Sequence, residues 1–126
     1  MAAKTQLQTI ATPGRRLGSF SGKVVLTYAD YGEPQLYTAA NWSNVTIVFQ
    51  ATMAVEIGTV YGRAYNKTDS AAVSGSEVSS VSATFERVRS GALTLTDGKT
   101  YVSQFAKSAG ATGAETKGGR LIMIPT

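Results

Sequence analysis

The chain has 126 residues and a formal net charge of +4, is 43% apolar and 16% charged, and contains no His and no Cys. Disulfide staples and thiolate metal sites are thereby excluded, and the usual nucleophile–base pairs lose their commonest members. One domain with its own core is expected, acting as a structural or binding module and not as a catalyst.

The charged share lies below the roughly 25% usual in soluble proteins. Such a surface is easily covered by a partner, since few ions need desolvation; equally, Ser, Thr and Gly can replace charge on a β surface. Lys4, Arg15, Arg16 and Lys23 fall in the first 23 residues with no acid among them, and from Val24 onward eight basic residues face eight acidic ones. Residues 1–23 therefore read as a basic, glycine-containing arm and residues 24–126 as a neutral β-sandwich domain. The arm lacks the apolar core of a secretory signal, and no apolar run approaches the roughly 20 residues of a membrane span. Use without cleavage or membrane insertion is expected.

Taken in chain order, a strand is placed at residues 6–11, then at 24–28 and 35–38 around the turn ADYGEP. The clearest strand covers residues 44–57. Val45, Ile47, Phe49, Ala51, Met53, Val55 and Ile57 occupy every second place, the period of a sheet with one buried face. Its length predicts a bulge or bend within it. After Gly58, Tyr61, Arg63 and Tyr65 share one face, and Val60, Gly62 and Ala64 the other, where small residues predict close approach of a second layer. Residues 66–78 read as a polar connection, with 71–73 able to turn inward. Alternation returns at Val81, Ala83 and Phe85. Leu93 and Leu95 predict a short strand, Asp97-Gly98 a tight turn, and Tyr101, Ser103 and Phe105 a further strand. Residues 107–119 read as a flexible loop of small residues before the apolar closing strand RLIMIPT. About eight short strands at intervals of roughly ten residues argue for an all-β sandwich or barrel.

Chemistry-bearing patterns are few. In TPGRRLGSFSGK, Gly22-Lys23 is followed by Val24 where a phosphate-binding loop needs Ser or Thr, so an arm lying on a partner is the better reading. Four arm cations give only a weak nucleic-acid footprint. Tyr61, Arg63 and Tyr65 come nearest to an aromatic–basic platform; Arg87 and Arg89 share a strand face with Glu86 beside them. Trp42 and the tyrosines offer sugar-stacking rings, although tyrosines on strands usually pack half-buried, and Trp42 suits a plug at the sandwich end. The carboxylates are scattered, and Glu56 alternates onto the polar face, so no general acid stands out. No cofactor or metal site is expected. The Asn-x-Ser/Thr triplets at Asn41, Asn44 and Asn66 are expected to be chance.

The stretches VYGRAYNKTDSAAVSGSEV, SATFERVRSGALTLTDGKTYVSQFAKSAG and GGRLIMIPT resemble the jelly-roll β-sandwich domains of tailed-bacteriophage structural proteins. The resemblance covers roughly residues 44–126 and does not extend to the basic arm. It implies a non-enzymatic virion protein made in the host cytoplasm. A single module beginning at Met1 suits a head decoration (cement) protein, a trimer or dimer whose arm lies on the major capsid protein. Lys4, Arg15, Arg16 and Phe20 are the expected partner contacts, the cations by charge and Phe20 as an apolar anchor. The alternative is a receptor- or glycan-binding module of a head or tail fibre, using Trp42. Neither reading involves a membrane, and nucleic acid is a disfavoured partner.

Overall fold

Local alternation becomes tertiary structure first in the strand that carries Ile47 to Met53. In the computed structural model, which describes residues 22–126, this strand is β4 (Val45–Ala54). The other strands are β1 (Gly22–Lys23), β2 (Ala29–Asp30), β3 (Gln35–Leu36), β5 (Val60–Asn66), β6 (Ala71–Ala72), β7 (Val78–Ser80), β8 (Glu86–Arg89), β9 (Thr100–Lys107) and β10 (Glu115–Pro125). A 3-10 turn at Ala39–Asn41 is the only helical element among the described residues. Lys4, Arg15, Arg16, Phe20 and the strand expected at residues 6–11 lie outside the described residues.

All pairings are antiparallel and form two layers. The first sheet runs β1-β10-β4-β8. The second runs β2-β9-β5-β6, with β3 also on β9 and β7 also on β5. The chain passes repeatedly from one layer to the other, so sequence neighbours such as β4 and β5 face each other across the core. Ile47, Phe49, Ala51 and Met53 point inward from β4, Val55 just after it, and Leu121 and Met123 from β10. Val60, Ala64, Tyr101 and Phe105 meet them from the second sheet.

The strand expected over residues 44–57 ends at Ala54, with a bend at Glu56 before the isolated bridge of Ile57, and a further irregularity lies on the partner strand. β4 is regular, and the register on β10 shifts between Thr116 and Gly118. There the Thr116 hydroxyl donates to the Thr52 carbonyl and accepts from the Gly118 N–H, both at 2.9 Å. These bonds occupy the groups that the bulge frees from the ladder.

The small residues of β5 mark close approach of the layers. A Cβ at Gly62 would lie 2.8 Å from the Phe105 ring and 3.4 Å from Ala51 of the opposite sheet. Gly119 on β10 has the same role, because a Cβ there would lie 2.6 Å from Phe49 Cζ.

Elsewhere tertiary structure corrects local pattern. Val81, Ala83 and Phe85 form no strand and are exposed, Val81 by 74%. Ser80 Oγ accepts the Ser82 N–H, and Ser82 Oγ accepts the Thr84 N–H. These hydroxyls capture the backbone in turns and end sheet pairing where the chain crosses between layers. Pairing resumes in β7 before this segment and in β8 after it. Leu93 forms only an isolated bridge with Ile47, although it is buried in the core. Much of the expected loop at 107–119 is strand, because β10 begins at Glu115, and Ala111, Ala114 and Thr116 are buried.

The Asp97-Gly98 turn forms, with Gly98 at a φ of 81°. Asp97 Oδ1 accepts the Ala39 N–H at 2.8 Å, which ties the turn to the 3-10 segment. Nearby, the buried Tyr101 hydroxyl accepts the Thr96 N–H at 2.8 Å. Tyr101→Phe leaves that donor without its partner and is expected to cost about 1–3 kcal/mol. The denaturation midpoint would fall at unchanged slope.

Candidate functional site

Trp42 follows the 3-10 turn and packs, half-buried, against the core. Part of the ring remains accessible beside the core. The polar side chains gather instead on the two outer sheet faces.

On the first sheet, pairing with β4 collects cations from distant parts of the chain. Gln50 pairs with Arg89 of β8 on one side and with Arg120 of β10 on the other. Thr52 pairs with Arg87 and Gly118 in the same way. Side chains of paired residues share a face, so Arg87, Arg89 and Arg120 project together, and all three are exposed. Arg89 Nε donates to Gln50 Oε1 at 2.9 Å, which holds one guanidinium against the sheet. Lys117, at the β10 bulge, places its ammonium 4.5 Å from the centre of the Phe85 ring, a cation–π contact. Glu86 does not neutralise the group: its neighbours on the strand point to the other face, and its Oε1 accepts from Ser80 Oγ at 2.6 Å. The ion pairs among the described residues are Lys67–Asp30 and Lys99–Asp69, so none of these four cations is in one. Their fields therefore sum above one sheet face.

Phe85 also belongs to an apolar group. Among the described residues, the large hydrophobic ones exposed by more than a third are Val25, Leu26, Leu36, Ile57, Val81 and Phe85. All but Leu36 lie at one end of the sandwich. Ile57 follows β4, Val81 follows β7, Phe85 precedes β8, and Val25 accepts the Lys107 N–H at the end of β9. Leu36 pairs with Thr100 at the opposite end. An apolar end bordered by arginines has the composition of a protein-docking surface.

The second sheet presents a different group. The Arg63 guanidinium carbon lies 3.8 Å from the Tyr28 ring centre and 5.3 Å from that of Tyr65. Nε and Nη2 of Arg63 both donate to Gln104 Oε1, at 3.0 and 2.8 Å. Gln104 Nε2 donates to Asp30 Oδ1, and Lys67 Nζ donates to Asp30 Oδ2. At the other edge, the Tyr28 hydroxyl donates to Glu77 Oε2 at 2.5 Å. Partial burial, then the bond to Glu77, push the Tyr28 hydroxyl above its usual range, so it remains a donor.

Burial alone would raise the Asp30 carboxyl, but the Gln104 and Lys67 bonds outweigh it and hold the group below its usual range. A depressed carboxylate contributes stability above its unfolded value, about 3.9, and loses it as pH falls through the lower folded value. Asp30→Asn is therefore expected to flatten the fall in stability below about pH 4. Urea titrations across acid pH would measure it.

The alternation of residues 60–66 already placed Tyr61, Arg63 and Tyr65 together. It carried no signal for Tyr28, Gln104 or Glu77, which reach Arg63 only through strand pairing. Arg120 was likewise missed beside Arg87 and Arg89, since it lies 31 positions after Arg89. No family model matches the chain, and no curated protein and no solved structure matches it.

Proposed function

We propose that this protein is a non-enzymatic structural component of a tailed-bacteriophage virion, a decoration (cement) protein that binds and stabilises the head. The observation that carries the reading is the joint surface: an apolar end, with Phe85 at its border, continued by the exposed cations Arg87, Arg89, Arg120 and Lys117. Apolar contacts supply affinity, and the cations select an acidic protein surface and speed encounter. The basic arm adds Lys4, Arg15 and Arg16 to the same sign of charge, with Phe20 as an anchor.

The strand order supports a jelly roll. Counting β2 with β3 and β6 with β7 as split strands, eight positions divide into two four-membered sheets and the chain changes sheet at every step but the one from β5 to β6, as two Greek keys would place them. The non-catalytic reading is supported by the employment of the acids. Five of the eight acids, Asp30, Asp69, Glu77, Glu86 and Asp97, each place a carboxylate oxygen in a hydrogen bond within the fold. In this reading identical copies form a dimer or trimer on the capsid lattice, and the protein resides in the virion.

Co-sedimentation with empty phage heads over a salt series tests the proposal. Binding that weakens but persists as salt rises fits apolar contacts steered by charge. No co-sedimentation at low salt would defeat it. A preference for nucleic acid over heads, lost steeply with salt, would replace it with a nucleic-acid reading.

A further inference from the structure

We propose that the cleft beside Arg63 binds a neutral saccharide unit, a cyclic polyol with one apolar face. The cleft lies on the second sheet, away from the cationic face, so the proposal stands independently of head attachment. It has a volume of about 320 Å³ and is lined by Arg63, Glu77 and residues 72–76 between them. That volume is near the lower end for small-molecule sites.

Two opposite charges line this cleft without forming an ion pair with each other. Each is held by a third group instead. Gln104 Oε1 takes two N–H bonds from Arg63, which leaves three of the five guanidinium donors for a ligand. Tyr28 occupies Glu77 Oε2, which leaves Oε1 as an acceptor. A donor plane and an acceptor are thus both held at one cleft before any ligand arrives, and such preorganisation lowers the entropy cost of binding.

Vicinal sugar hydroxyls fit this arrangement, because each both donates and accepts. One hydroxyl donates to Glu77 Oε1 while its neighbour accepts from Arg63. Ala72 and Val73, which also line the cleft, offer an apolar surface for the C–H face of the ring. Overall charge favours a neutral ligand. Glu77 balances Arg63 within the cleft, and Lys67 is paired with Asp30 next to it. A zwitterion such as an amino acid would rely on exposed ion pairs, which are weak in water, and would leave the apolar lining of Ala72 and Val73 unused.

The test uses the full chain and the methyl glycosides of glucose, galactose, mannose and N-acetylglucosamine, followed by saturation-transfer NMR and titration calorimetry. At least one glycoside is expected to bind in the millimolar range, typical of a shallow site, with little dependence on salt. Glu77→Gln keeps an acceptor for Tyr28, and Arg63→Lys keeps the charge but loses the planar fork. Each is expected to weaken binding by about tenfold or more, while Lys117→Ala on the other sheet leaves it unchanged. Absence of transfer from all four glycosides would overturn the proposal. So would binding undiminished in both cleft variants, or salt-sensitive binding of free glycine in preference to the sugars.

Discussion

The combined reversals Arg87→Glu, Arg89→Glu and Arg120→Glu are expected to give a folded protein that no longer sediments with phage heads. All three side chains are exposed on the outer face of the first sheet. Surface substitutions of this kind usually change stability by about 0.5 kcal/mol or less each. Arg89 has the largest structural role, through its bond to the buried Gln50 amide oxygen. Against an acidic partner, however, three attractions become three repulsions. Like charges brought together across an interface cost several kcal/mol, so affinity should fall by about a hundredfold or more. The same protein should elute far earlier from a cation exchanger. Replacing Lys67 and Lys99 by alanine should alter attachment little, since both already pair with Asp30 and Asp69. Undiminished attachment of the triple reversal would move the binding energy to the apolar end or to the arm.

Gly119→Val is expected to be the most damaging single change in the core. Its Cβ would enter at 2.6 Å from Phe49 Cζ and 3.2 Å from Ser103 Cβ, between the two layers. Both layers are sheets, so neither can yield at one point without disturbing a ladder of hydrogen bonds. Overpacking of this kind costs roughly 3 kcal/mol or more when side chains cannot move aside. That is a large part of the 5–15 kcal/mol by which a typical domain is stable. Phe49→Leu removes the obstructing ring edge and should restore part of the loss. A coupling of about 0.5–3 kcal/mol in the double-mutant cycle would locate the clash at this pair. Strict additivity would show that the two positions do not meet.

The layered β architecture was legible because its signal is local. A strand exposes alternate residues to the core, so Ile47, Phe49, Ala51, Met53 and Val55 declare their face through their own neighbours. Gly62 and Ala64 declared the nearness of a second layer in the same way. Local reading failed where other forces set the chain's path. Val81, Ala83 and Phe85 have strand-like alternation, yet Ser80 and Ser82 turn the backbone by side-chain bonds, and the apolar residues stand exposed. Residues 111–116 read as loop because they are small. Ala111, Ala114 and Thr116 are nevertheless buried, held by the bridge of Ile57 to Thr112 and by the pairing of β10 with β4.

The sequence by itself determined the absence of imidazole and thiol chemistry, the concentration of excess positive charge in the first 23 residues, and the faces of the long strands. These are properties of composition or of a two-residue period, and they need no knowledge of distant contacts. Only the tertiary structure decided which side chains act together. Arg120 joins Arg87 and Arg89 because β4 lies between their strands. Tyr28, Arg63, Gln104 and Glu77 converge because β2, β9, β5 and β7 are ordered side by side. Those neighbours are set by which strands hydrogen-bond to which, and strand order depends on how the whole core packs, a relation that no local spacing along the chain encodes.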